Sequence, residues 1–249
     1  MALILRTLLG GLLLLGVPDV LQGQASGAAI RDNSFLVEEA YNQDRNVVQH
    51  IGTFTSSRNG AWAVNVTDEW PLGGVRNQVS VGLTLGEAEL GTQYGTLALN
   101  YRRQVFGAPD AAVIVSPRLS LLASLGSSSD RVPGLQANVP VTAVLSESFV
   151  SHWNLGATIG TGPTILNVGA SVVWLTLPWM NFLVEGVFLG VAGQPPTYIV
   201  SPAVRWALNF GAVQVVPGVA IPLHFAQSGD NAVLLYLSIE HPFGPTDTQ

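Results

Sequence analysis

The chain has 249 residues, of which only 10% are charged, against roughly 25% in ordinary globular proteins. The hydrophobic fraction is 48%, the formal net charge is −6, and there is no cysteine. This excludes disorder, disulfide scaffolds and thiol chemistry, offers no basic cluster for nucleic acid, and does not suit the water-facing surface of a soluble enzyme.

Residues 1–25 read as an export signal. Arg6 gives the start its one positive charge, and residues 8–17 form an apolar core too short to cross a bilayer of about 30 Å. Gly23, Gln24 and Ala25 supply small residues for cleavage, so the mature chain is expected to begin near Ser26, outside the cytoplasm. Residues 26–46 follow as an N-terminal periplasmic or plug-like segment. Within it, 34–42 have the pattern of a short helix, with Ser34 as its cap and Glu38 and Glu39 near its positive end.

From Val47 onward the period is two. Val79, Val81, Leu83 and Leu85 alternate with Ser80, Gly82 and Thr84, and Leu135, Ala137, Val139 and Val141 alternate with Gln136, Asn138 and Pro140. Such a pattern puts one set on each face of a strand. The longest apolar stretch, 168–191, is broken by Pro178, Asn181 and Glu185, so no membrane helix is expected. Segments fall at about 47–57, 61–70, 77–86, 93–105, 111–125, 133–146, 149–160, 164–175, 180–191, 197–210, 213–225 and 232–243. Gly, Pro, Asn, Asp and Ser punctuate them with turn chemistry. Their lengths match membrane strands of about 9–11 residues, and an even count returns both ends to one side of the membrane. The expected fold is all-β: a transmembrane antiparallel up-and-down barrel of about 12 strands over 47–243, with a tail at 244–249. With the N-terminus in the periplasm, the connection at 57–60 faces outside and that at 71–76 faces the periplasm.

Rings mark the strand ends. Trp62 and Trp70 bracket the second segment, Trp174 and Trp179 flank one turn, and Phe210 and Phe243 close theirs, as interfacial girdles require. The complementary inward set is polar and carries the mid-strand charges. Its candidate lumen-lining or constriction residues are Glu69, Arg102, Arg118, His152, Glu185, Arg205, His224 and Glu240. By the alternation every mid-strand charge falls in this inward set, a check on the register, since an Arg facing lipid at mid-depth costs about 2–4 kcal/mol. Arg205 and Glu185, on adjacent segments, are the expected direct pair. The charges either select solutes at a constriction or brace a barrel filled by its own side chains.

Signals for catalysis are thin. Ser151 and His152 are adjacent and belong to opposite faces of a strand. The glycines at 156, 160 and 162 have the wrong spacing for a dinucleotide loop, and His50, His224 and His241 show no metal-ligand spacing. No catalytic residue, metal or cofactor is expected.

Residues 33–43 (Asn-Ser-Phe-Leu-Val-Glu-Glu-Ala-Tyr-Asn-Gln), followed by Val47, Val48, Gln49, His50 and Ile51, resemble the opening of a group of bacterial outer-membrane proteins. That group is similar to the barrel family named for the meta pathway of phenol degradation. The resemblance implies an outer-membrane, transporter-like barrel, with aromatic or apolar solutes suggested by the family name alone. It covers about 20 residues, and Asp44-Arg45-Asn46 departs from its usual turn. Leu235, Leu237, Ile239, His241 and Phe243 resemble the terminal-strand signal read by outer-membrane insertion machinery, with His241 where a larger apolar residue is usual. The expected function is a passive channel or transporter for small solutes, whose partners are membrane lipid and that insertion machinery. The alternatives are a filled structural barrel and, behind it, a lipid-modifying barrel enzyme.

Overall fold

The computed structural model describes residue 30 and residues 34–108, 110–125, 134–160, 163–225 and 231–244. The expected export signal, the tail beyond 244 and parts of several connections lie outside the described residues.

The strands are β1 (Val47–Ser57), β2 (Trp62–Pro71), β3 (Asn77–Glu87), β4 (Gln93–Arg103), β5 (Val113–Val115), β6 (Arg118–Leu125), β7 (Gly134–Ser146) and β8 (Phe149–Ile159). They continue as β9 (Ile165–Leu177), β10 (Met180–Val191), β11 (Thr197–Trp206), β12 (Leu208–Phe210), β13 (Val213–Ala220), β14 (Leu223–Phe225) and β15 (Ala232–Pro242). Three pairs are single staves interrupted once: β5 with β6, β11 with β12, and β13 with β14. Pro117 and Pro222 sit in two of these gaps, where proline has no N–H to give the ladder. The result is twelve staves, each paired antiparallel to its sequence neighbour. β1 and β15 close the ring, from Val47 opposite Pro242 to Ser57 opposite Ala232.

Closure satisfies the backbone and leaves the side chains sorted by face. Leu119, Leu121, Leu155, Val184 and Leu235 are each more than half exposed on the outside, while Ser120, Asn154, Glu185 and Ser238 beside them are buried. An apolar face on every stave is stable only against lipid. Rings gather at the end of the barrel where the chain enters β1, here the near end. There Trp174 lies 6.4 Å from Phe149 and 6.2 Å from Phe182, centroid to centroid.

Two expectations are corrected. Residues 34–42 form no helix; they run through the barrel as extended chain with bends. And not every mid-strand charge points inward. Asp68 of β2 faces outward, where its Oδ1 accepts a 2.6 Å hydrogen bond from His50 Nδ1. The pair sits two residues in from Trp70, near the end of the strand, where His50 compensates the charge.

Candidate functional site: a segment-filled lumen

Residues 34–43 occupy the near half of the lumen, and the wall is built to hold them. Their backbone donors go to side chains of the barrel. Leu36 N and Val37 N donate to Glu185 Oε1 at 2.7 and 2.9 Å, Glu38 N to Asn154 Oδ1 at 2.8 Å, Ala40 N to Thr142 Oγ1 at 2.8 Å and Gln43 N to Gln78 Oε1 at 2.8 Å. The carbonyls are met too: Asn154 Nδ2 donates to Glu38 O and Ser116 Oγ to Ala40 O. A helix would have spent the same donors on its own carbonyls. Here partners on the wall take them, which is why the local pattern lost.

Glu38 is the electrostatic centre. Arg102 and Arg118 stand directly opposite each other across β4 and β6, two like charges that repel at that spacing. Glu38 reaches between them, Oε1 to Arg102 Nη1 at 3.1 Å and Oε2 to Arg118 Nε at 2.9 Å. Asn138 Nδ2 adds a third bond to Oε2 at 2.9 Å. Arg102, almost fully buried, also donates to Asn42 Oδ1 and to the carbonyls of Glu39 and Tyr41. Glu69 lies 3.9 Å from its other nitrogen and accepts from Gln78. Arg118 spreads its remaining donors over Asn100, Ser120 and Gln136.

Apolar contacts finish the dock. Phe35 stacks on Tyr236 at 4.5 Å within a cluster that includes Ile30, Ile51, Val216 and Leu234. Two wall glycines make the room. A Cβ on Gly218 would lie 2.3 Å from Phe35 Cζ, and one on Gly169 would lie 3.0 Å from Val37 Cγ2. The inner face under the segment mixes polar anchors with apolar positions such as Val173 and Leu183, which is why the two-residue alternation fades through 168–191.

The other candidate residues sort by height and side. His152 Nδ1 pairs with Thr142 Oγ1 at 2.8 Å. Thr142 Oγ1 also accepts from Ala40 N, so this hydroxyl ties the imidazole to the segment's backbone. Ser151 Oγ donates to Ser171 O, away from that ring. Glu185 and Arg205 are offset in register, Ser201 standing opposite Glu185 and Asn181 opposite Arg205, and Glu185 Oε1 accepts from the segment's backbone. Arg205, with His152 and Tyr41, lines a near-end pocket of about 200 Å³. Glu240 lies between Gln49 and Gln214 in the pairing, and His224 opposite Ile199 has a buried Nδ1 with no hydrogen-bond partner among the described residues.

Above the segment the lumen opens. A cavity of about 400 Å³ is floored by Glu38 and Arg118 and walled by Thr53, Asn65, Thr67, Ser80, Thr84 and Thr96 among others. Its wall offers hydroxyls and amides, with Gly82 and Ala98 widening it. Sequence reasoning missed Glu38 as the hub. The available signal was the run of inward Gly and Ala at 82, 98, 169 and 218, which leaves space that something else must fill.

The docking of Glu38 carries a pH dependence. Burial alone would push its carboxyl up, but Arg118 and Arg102, with the Asn138 hydrogen bond, outweigh this and hold it below the ordinary value of 4.5. A carboxyl lowered on docking binds fewer protons than a free one, so docking is at full strength above about pH 4.5 and is lost as pH falls through the docked value. Proteolysis of the segment in reconstituted protein should therefore rise below pH 4.5, and Glu38→Gln should abolish the pH step.

A closed antiparallel barrel with an apolar exterior, ringed ends and a polar interior occupied by its own chain has the architecture of an outer-membrane porin. Two solved structures share it. One is a KdgM porin in complex with disordered oligogalacturonate, at TM-score 0.53 and 8% identity over 80% of this chain and 99% of that one. The other is the NanC porin, at TM-score 0.55 and 6% identity over 79% and 100%. At such identities the likeness is one of fold. No protein-family model matches the chain, and no curated protein matches it either.

Proposed function

We propose that the chain is a bacterial outer-membrane channel of narrow bore, exported by its first 25 residues, through which small polar solutes pass passively. The observation that carries this reading is the polar cavity of about 400 Å³ inside a closed barrel, ending on Glu38 and Arg118. With the N-terminus in the periplasm, the cavity faces outside and residues 34–43 narrow the periplasmic half. Aromatic or apolar solutes, suggested by the name of the resembling family, would find a wall of hydroxyls and amides. Polar or hydroxylated solutes suit it better, and one fold neighbour is described with an oligogalacturonate.

The filled-barrel reading rests on an observation of its own, the dense bonding of 34–43 to the wall. One variant weighs the two. At the floor, Arg102 and Arg118 stand against Glu38 and Glu69, and Arg118→Ala makes this cluster more negative by one charge. In a channel this shifts reversal potentials toward cations in a planar bilayer, with heat-modified gel mobility unchanged. If Arg118 only braces a filled core, its removal lowers the unfolding temperature and leaves selectivity as it was.

A further inference from the structure

Outside the lumen, at the seam where the barrel closes, two histidines 191 residues apart in sequence meet: His50 Nε2 lies 3.2 Å from His241 Nε2. The far nitrogen of each ring is already committed. His50 Nδ1 faces the Asp68 carboxylate at 2.6 Å, which can only accept, so this nitrogen carries a proton. His241 Nδ1 faces the carbonyl oxygen of Pro242 at 3.0 Å, which also can only accept, so this nitrogen carries one too. With both Nδ1 atoms committed, the two Nε2 atoms face each other, an arrangement that a proton or a metal ion between them completes.

We propose that His50 and His241 bind a divalent late first-row transition metal through their Nε2 atoms, with water in the remaining positions. Metal–nitrogen bonds of about 2.0–2.1 Å spanning 3.2 Å close at an N–metal–N angle of roughly 100–105°, near tetrahedral. Both rings carry the outer hydrogen bonds that orient metal-ligating histidines, one to a carboxylate and one to a backbone carbonyl. Among the described residues no group of three or more His, Cys, Asp or Glu could hold a metal, so this is a two-ligand, exchangeable site. It is open to ions. The His50 side chain is 42% exposed and that of Asp68 38%, and the cluster lies at the near rim, two residues in from Trp70 and Phe243. It also accounts for a histidine at 241, where a larger apolar residue is usual on a closing strand.

The test uses the full mature chain in detergent micelles with Cu²⁺ and Zn²⁺ as the probes, copper being favoured for nitrogen ligands. One equivalent of Cu²⁺ should bind at pH 7.5 with an electron paramagnetic resonance spectrum showing two imidazole nitrogens. His50→Ala and His241→Phe should each lower affinity more than tenfold, and Asp68→Ala about tenfold through loss of orientation. His241→Phe restores an apolar residue at that strand position, so it keeps the barrel folded, and heat-modified mobility verifies each variant. Equal binding by wild type and His241→Phe overturns the proposal. So does the absence of binding at 100-fold excess metal over protein, which would mean that the two rings share a proton only.

Discussion

Glu38→Ala should release the N-terminal segment and turn the channel toward anions. The substitution removes the one anion shared by two arginines that face each other across β4 and β6. Removing one member of a largely buried ion pair costs about 3–5 kcal/mol, and here the loss is concentrated on docking rather than on the barrel, whose ladders are untouched. The floor gains one net positive charge, so selectivity moves opposite to the shift expected for Arg118→Ala. Reversal potentials of the two variants, measured side by side, check this. Shifts of the same sign would mean that these charges do not face the permeation path.

The second large effect is steric. Gly218→Val places a Cβ 2.3 Å from Phe35 Cζ and 3.1 Å from Val204 O. Phe35 must leave its stack on Tyr236, and loss of a buried phenyl contact is worth about 3–5 kcal/mol. Phe35→Ala alone costs a similar amount, because the cluster around Ile51, Val216 and Leu234 loses its centre. The double variant is the discriminating one. With the ring gone, the larger side chain introduced by Gly218→Val fills part of the space, so the two losses should fall well short of adding. Full additivity in thermal unfolding would show that the two residues do not share one site.

These effects mark where the sequence was readable and where it was not. The staves were legible because lipid outside and polar lumen inside impose a strict two-residue period; Val79 to Leu85 and Leu135 to Val141 show it without the structure. The inward assignment of Glu69, Arg102, Arg118, His152 and Glu185 follows from the same parity. The fate of residues 34–43 does not. Their partners, Thr142, Asn154 and Glu185, lie 102 to 149 residues away, and a local helix pattern carries no trace of such distant acceptors. The role of Glu185 toward that backbone was hidden for a related reason: hairpin register is fixed by the turn, and it sets Ser201 across from Glu185. Asp68, next to the inward Glu69, has outward parity, so the alternation itself already placed this charge outside. The rule that charge avoids lipid relaxes there, where His50 compensates it.

Single-channel conductance of the mature chain, compared with the same chain lacking residues 34–43, addresses the channel and its occupant together. Removing the segment takes away the floor of the cavity and the chain beneath it, so conductance should rise severalfold, while the barrel keeps its heat-modified mobility. Equal conductance of the two forms, or none from either, would contradict a solute path through this lumen narrowed by its own N-terminal segment.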